Sequence, residues 1–468
     1  MERKLFSKVI MTMTAAAVMG LASCSNENTP MGGDLTPQGE PTSMKLVLDL
    51  SGGAYSRAIQ DDNATDVEKK IDNLNVYIYD ANGIFEKEHI LNLANDFEEE
   101  ANNVWTTNKV LEATTGKKTI YVGANMTAGM KQIMKANSAQ ALAKKGVGAT
   151  LTEITGNNGF VMFSTVAAGN TLKATAEDQP ANIPADNQVT VTLQRLAAKI
   201  AVGMSANTQD IQQGAAGTID DLGFLVDNIN KMYYLTYGGE GVNIPAATDA
   251  NMFVKDYDKN NFEFATWNAN PQFQTITPGT AAKATWNTAY AAENLTTDKV
   301  IEGVTRIVVK GQFTPKSGIK VDGVAPNYTF ANTDGHITAG TDYYMFNLPE
   351  AGGYAFFNKT DGDDNAKVKA WLKHIGVADA NIDDVAATKI LYKNGMNYWW
   401  ITVDDNRGDI KRNNFYRADI KSIWAPGRNN GEFGNDDKGD VVDEKTNITV
   451  QITVEPWTLK EFNADLRP

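Results

Sequence analysis

The chain has 468 residues, a single cysteine and a formal net charge of −14 from 43 basic and 57 acidic side chains. The acidic balance argues against nucleic acid and against anionic membrane surfaces as partners. One cysteine rules out a disulfide scaffold, so the fold must rest on apolar cores, and the chain is long enough for two or three domains.

Glu2, Arg3, Lys4 and Lys8 make a charged start. Residues 9–21 follow as an apolar run of about 13 residues, too short to span a bilayer core of roughly 30 Å. Leu21-Ala22-Ser23-Cys24 then has the spacing of a bacterial lipobox. Residues 1–23 are therefore expected to be a signal peptide. Cys24 is expected to carry lipid, palmitate included, that anchors a precursor to the outer membrane without threading it through. The polar stretch 25–42 reads as a tether. Residues 1–57 hold five basic and five acidic side chains, so the negative charge belongs wholly to the remainder.

Met44, Leu46, Leu48 and Leu50 form an apolar row of period 2, which predicts a strand with one buried face. Ser51-Gly52-Gly53-Ala54-Tyr55-Ser56-Arg57-Ala58 comes next. It is small, Gly-rich and carries one basic residue, the composition of a segment that is easily nicked. The propeptide is placed at 24–57, with processing between Arg57 and Ala58.

Residues 74–80 alternate as a strand and Asn82-Gly83 marks a turn. Residues 118–125 form a second strand. A helix is predicted from the N-cap Thr127 to Lys145, with Met130, Ile133 and Met134 on one face, Gly146 as the stop and a weak point at Asn137-Ser138. Residues 189–202 are extended. A domain boundary near 205 separates 58–204 from 205–468. Further on, 305–313 and 342–346 read as strands, and 365–374 and 383–391 as short helices. Residues 398–403 and 414–420 are expected to pair around a polar loop. Many short strands with minor helices predict an all-β chain of β-sandwiches.

The last strong pattern runs from 446 to 457. Ile448, Val450, Ile452 and Val454 alternate with Thr449, Gln451, Thr453 and Glu455, and Pro456 closes the strand. The chain thus carries two strands of similar pattern, one beside a cleavable segment. If both fit one groove, removing the first opens a place for the second, supplied by another molecule.

Catalytic and metal chemistry find no support. His89, His336 and His374 are far apart and in unlike surroundings. Asp361-Gly362-Asp363-Asp364-Asn365 fails as a calcium loop, with Ala366 where Gly is needed and Leu372 where a bidentate Glu belongs. Arg407-Gly408-Asp409 reads as an ordinary turn. No enzyme activity, metal or cofactor is expected.

Several segments in this order resemble the fimbrillins of the Bacteroidetes, the major structural subunits of protease-assembled (type V) pili. They are the lipobox with Arg57-Ala58; Asn75-Val76-Tyr77-Ile78-Tyr79-Asp80; Arg195-Leu196-Ala197-Ala198-Lys199-Ile200; Phe415-Tyr416-Arg417 through Ile420-Lys421-Ser422-Ile423 to Pro426-Gly427; and the strand ending at Pro456-Trp457. The resemblance implies two transthyretin-like β-sandwich domains with minor helices. It also implies a lipoprotein precursor at the cell surface whose leader, with Met44, Leu46, Leu48 and Leu50, is removed by an Arg-directed protease. The strand with Ile448, Val450, Ile452 and Val454 would then enter a neighbouring copy or a related pilus subunit in a fimbria that supports adhesion to host or bacterial surfaces. The alternative is a monomeric outer-surface lipoprotein that binds glycans or host proteins and keeps both strands at home.

Overall fold

Along Pro41–Asp49, buried and less buried positions alternate, as a strand with one apolar face requires. The structure, a computed structural model, describes residues 39–50, 65–206 except 102–103, 143–145, 157 and 165–167, and then 217–465 except 228, 231, 236–252, 255–272, 295–303, 322–327, 333–336, 349–352, 404–409, 424, 431–447 and 457–463.

Pro41–Asp49 lies inside a sheet ordered Gln188–Val191, Pro41–Asp49, Val104–Thr107, Phe97–Ala101, and Leu111–Thr114 also pairs with it. A second sheet runs Leu193–Arg195, Met162–Ser164, Gly116–Ala124, Leu74–Tyr79, Phe85–Leu91, with Ala168–Leu172 on Gly116–Ala124. The two enclose a core that includes Leu46, Leu48, Val76, Ile78, Val122 and Val189.

Leu74–Tyr79 is buried at every position. Val76 and Ile78 join that core. Tyr77 and Tyr79 belong instead to a second cluster with Met130 and Met134 of helix Ala128–Ala136. Thr127 caps this helix by accepting a hydrogen bond from the Met130 amide at 3.2 Å. The helix stops at Asn137 and resumes as Ala139–Leu142, a break at the weak helix formers. The turn after Tyr79 closes through Asp80 Oδ1, which accepts from the amides of Asn82 and Ile84 at 2.9 Å, with Gly83 at φ 76°.

The ladders change partners at Leu196. Arg195 still pairs with Met162, whereas Ala197–Gly203 pairs with Thr288–Ala292 on one side and, in parallel, with Asn414–Ile423 on the other. That third sheet continues through Ile448–Pro456 to Ala464–Asp465. A fourth sheet runs Gln274–Thr275, Gly217–Asp227, Arg306–Pro315, Met396–Thr402. Ile200, Phe224, Val309, Trp399, Ile420 and Val450 meet in the core between these two sheets. The fold is all-β, two β-sandwiches with few helices.

Two sequence expectations need correction. Residues 398–403 and 414–420 do not pair with each other. Met396–Thr402 pairs with Arg306–Pro315, and Asn414–Ile423 belongs to the opposite sheet. Both strands have a core face, and Trp399 and Ile420 approach the same core from its two sides. The helix expected over 383–391 is Ile382–Ala387. The chain then turns extended, and Ile390–Tyr392 pairs with Tyr343–Leu348. The helix Asn365–His374 forms as its pattern predicts, capped by Asp364, and buries Val368, Trp371 and Leu372 against Phe346 and Phe357.

Candidate assembly groove

Pro41–Asp49 is held along both edges. On one it runs parallel to Gln188–Val191, with Leu46 opposite Val189 and Leu48 opposite Val191. On the other it is antiparallel to Leu111–Thr114 near its start and to Val104–Thr107 near its end. Met44, Leu46, Leu48 and Leu50 are at most 1% exposed. The outward Lys45 pairs with Glu100 at 3.6 Å, an exposed contact of small weight. Taking this strand out would leave two unpaired edges and an apolar trough, an aggregation hazard if left open. Leu46→Ala is expected to destabilise the intact chain by about 2–5 kcal/mol, read as a shift in the urea midpoint at unchanged slope.

The trough has a polar end. Thr42 is buried, and its hydroxyl donates to the Lys173 carbonyl at 2.7 Å and accepts from the Thr175 amide at 3.1 Å. Asn187, fully buried, donates to the Ser43 carbonyl at 2.7 Å and lies 3.3 Å from the Thr42 hydroxyl. Its own Oδ1 accepts from the Lys173 amide at 2.8 Å. Neither residue stands out in the sequence, because nothing local marks a buried Asn within a polar stretch.

Beyond residues 51–64 the chain is tied down at once. Thr65 and Glu68 form a capping box around helix Asp66–Lys69. The fully buried Glu68 carboxylate accepts from Tyr290 Oη at 2.5 Å and meets Lys199 Nζ at 2.9 Å, and the Glu68 carbonyl accepts from Arg195 Nε at 2.8 Å. Burial first, and the Glu68 carboxylate next, hold the Tyr290 phenol above the usual tyrosine range, so it stays a donor. The sequence signals for this cluster are Thr65-x-x-Glu68 and two charged residues, Arg195 and Lys199, inside an otherwise apolar run.

Ile448–Pro456 sits in the chain's own third sheet, antiparallel to Asn414–Ile423, with Val450 opposite Ile420, Ile452 opposite Ala418, Ile448 opposite Ile423 and Val454 opposite Tyr416. Val450 and Ile452 are 2% and 3% exposed in the core. Among the described residues, its other edge pairs only with the two-residue strand Ala464–Asp465. The two apolar rows therefore lie in different sheets of one chain. Cys24, Arg57, Ala58 and the tripeptide 407–409 lie outside the described residues.

Residues 42–195 match the family described as major fimbrial subunit protein (FimA), and residues 390–463 match the family described as major fimbrial subunit protein type IV, fimbrillin, C-terminal. None of the curated proteins compared matches the chain in sequence. Among solved structures, a fimbrilin (fimA) from Porphyromonas gingivalis is similar at 16% identity and TM-score 0.43, covering 90% of this chain and 98% of that one. A C-terminally truncated tip fimbrial protein from Porphyromonas gingivalis is similar at 12% identity and TM-score 0.38, covering 89% and 99%. A fimbrial assembly protein from Parabacteroides distasonis is similar at 15% identity and TM-score 0.31, covering 68% and 99%. The first match spans the groove and the second spans Asn414–Ile423 with Ile448–Pro456, so the chain matches fimbrial subunit families at both of these places.

Proposed function

We propose that this chain is a fimbrillin, a structural subunit of a surface fimbria, made as a lipoprotein precursor and polymerised by strand exchange. Cys24 carries the lipid that anchors the precursor to the outer membrane. Residues 24–57 are a propeptide, removed by an Arg-directed protease between Arg57 and Ala58. Residues 58–204 and 205–468 are the two domains of the mature subunit. The strand with Ile448, Val450, Ile452 and Val454 enters the groove of a neighbouring copy or a related pilus subunit, and the fibre supports adhesion.

One observation carries this reading. Pro41–Asp49, the strand next to the cleavable segment, is a central strand that fills an apolar groove. A leader built that way serves as a plug, since an open groove would aggregate during export. The capping box at Thr65 and Glu68 supports it further, because the chain is fixed in place directly beyond the cut.

The test uses soluble precursor with Cys24 replaced, cut with an Arg-specific protease and run on a gel without boiling, with the new N-terminus sequenced. An Ala58 start with a ladder of detergent-resistant multimers is the expected result. A clean cut at Arg57 that yields only monomer would overturn strand exchange and favour a monomeric surface lipoprotein.

A further inference from the structure

We infer that Asn187 builds a polar stop at one end of the groove, and that this stop sets the register of the incoming strand by receiving Thr446 of a second copy of this chain. The inference rests on the strand-exchange reading above and adds where the strand comes to rest.

The leader shows what the groove accepts. Its inward positions read Thr42, Met44, Leu46, Leu48, Leu50, one hydroxyl followed by four apolar side chains, all buried. The hydroxyl is held by a network in which Asn187 Nδ2 also donates to the Lys173 carbonyl, at 2.9 Å. The Lys173 carbonyl and the Thr175 amide both bond to the hydroxyl, and Asn187 Nδ2 reaches the strand at Thr42 and Ser43. Buried polar groups of this kind cost free energy when left unmade, so an occupant that restores the bonds is selected over one that does not.

The C-terminal segment repeats that order. Thr446, Ile448, Val450, Ile452 and Val454 stand at the same spacing, one hydroxyl and then four β-branched apolar residues. With Thr446 in the place of Thr42, every apolar residue falls on a leader position, and Gln451 falls where Val47 lay.

Other registers fail on physical grounds. A slip of one residue turns the whole apolar row outward. A slip of two in one direction puts the apolar Ile448 against Asn187, the Lys173 carbonyl and the Thr175 amide, which then lose the hydroxyl that bonds to them. A slip of two the other way puts Glu444 at the stop, where an ionised carboxylate has no proton to donate to the Lys173 carbonyl. Apolar spacing alone does not distinguish registers that differ by two residues. The polar end does.

The test is disulfide trapping in the cleaved, multimer-forming protein with Cys24 replaced. Val47 lies opposite Thr190, which is exposed on the outer face of Gln188–Val191. Three proteins carry Thr190→Cys together with Thr449→Cys, Gln451→Cys or Thr453→Cys. A shift of two residues moves the partner about 6.6 Å along the strand, beyond disulfide reach from a neighbouring strand. The expected result is a ladder that survives boiling without reductant for Gln451→Cys, and at least about tenfold less of it for the other two. Asn187→Leu should spread trapping over two or three positions while multimers persist, and Thr446→Val tests the same contact from the donor side if the groove variant does not fold.

Multimers trapped chiefly through Thr449→Cys or Thr453→Cys would overturn the register while leaving strand exchange standing. Trapping that stays confined to Gln451→Cys in both Asn187→Leu and Thr446→Val would overturn the polar stop. Cleaved protein with no multimers and no trapping at any position would overturn strand exchange itself, and the register with it.

Discussion

Glu68→Ala is expected to lower the stability of the folded chain by about 3–5 kcal/mol, the range for breaking a buried ion pair from one side. Glu68 has no exposed surface, and its carboxylate meets Lys199 Nζ, the Tyr290 hydroxyl and the Thr65 amide within 3.0 Å. Lys199 is 4% exposed, so its ammonium would stay in the interior without the carboxylate that offsets its desolvation. The measurement is the urea midpoint of the single variant beside Glu68→Ala with Lys199→Met. Removing the second charge should restore part of the loss, because the cost arises from the remaining ion more than from the missing contact. No recovery in the double variant would mean that the capping box, worth about 1 kcal/mol in ordinary helices, or packing around the site carries the effect. The cluster also bears on assembly. Arg195 belongs to the second sheet, and Lys199 and Tyr290 to the third. Helix Asp66–Lys69 is thus fastened to both sandwiches through Glu68, and removing the leader would free the plug without loosening that helix.

The sequence carried the parts of this fold that depend on local pattern. The rows Met44, Leu46, Leu48, Leu50 and Ile448, Val450, Ile452, Val454 are strands because period 2 with β-branched or long apolar residues suits a half-buried pleat. Helix ends at Thr127 and Asn137 follow from capping and weak helix formers. What failed was pairing. Residues 398–403 and 414–420 are close in sequence, and proximity favoured a hairpin, but each strand had a better partner far along the chain, Arg306–Pro315 for one and Ala197–Gly203 for the other. Local alternation also concealed that Leu74–Tyr79 is covered on both faces, although Tyr77 and Tyr79 at its outward positions were a hint. The polar centres were not legible because their members converge only in space. Glu68 finds Lys199 and Tyr290, and Thr42 finds Asn187, across more than a hundred residues each. Beside the Thr65-x-x-Glu68 pattern, charged residues in a buried run are a local clue, since Arg195, Lys199 and Arg306 must each find a partner to be tolerated there.

Ile420→Ala is expected to destabilise the uncut chain by about 2–5 kcal/mol and to speed multimer formation once the leader is cut. Vacancies decide the direction of exchange. After cleavage, a subunit with its terminal strand at home has a filled third sheet and an open groove. After exchange, the groove is filled and the edge of Asn414–Ile423 is bare. Each subunit holds one vacancy either way, so exchange proceeds only if an open groove is worse than a bare edge. The groove takes four fully buried side chains, Met44, Leu46, Leu48 and Leu50, with ladders on both edges. Among the residues whose side chains are described, the home site buries Val450 and Ile452, and it offers one long ladder and a two-residue one. Each ladder hydrogen bond is worth about 0.5–1.5 kcal/mol, so the second long edge favours the groove, with the home site acting as a brake. Ile420 stands opposite Val450 and is fully buried, and truncating it weakens the home site while leaving both the donor strand and the groove unchanged. Deleting the terminal strand removes brake and donor together and does not separate them. If the strand belongs permanently to its own sheet, Ile420→Ala lowers the melting temperature and the cleaved protein stays monomeric. If the strand is shared between two sites, the same substitution makes the monomer weaker and the fibre faster, and only competition between the sites moves the two readouts in opposite directions.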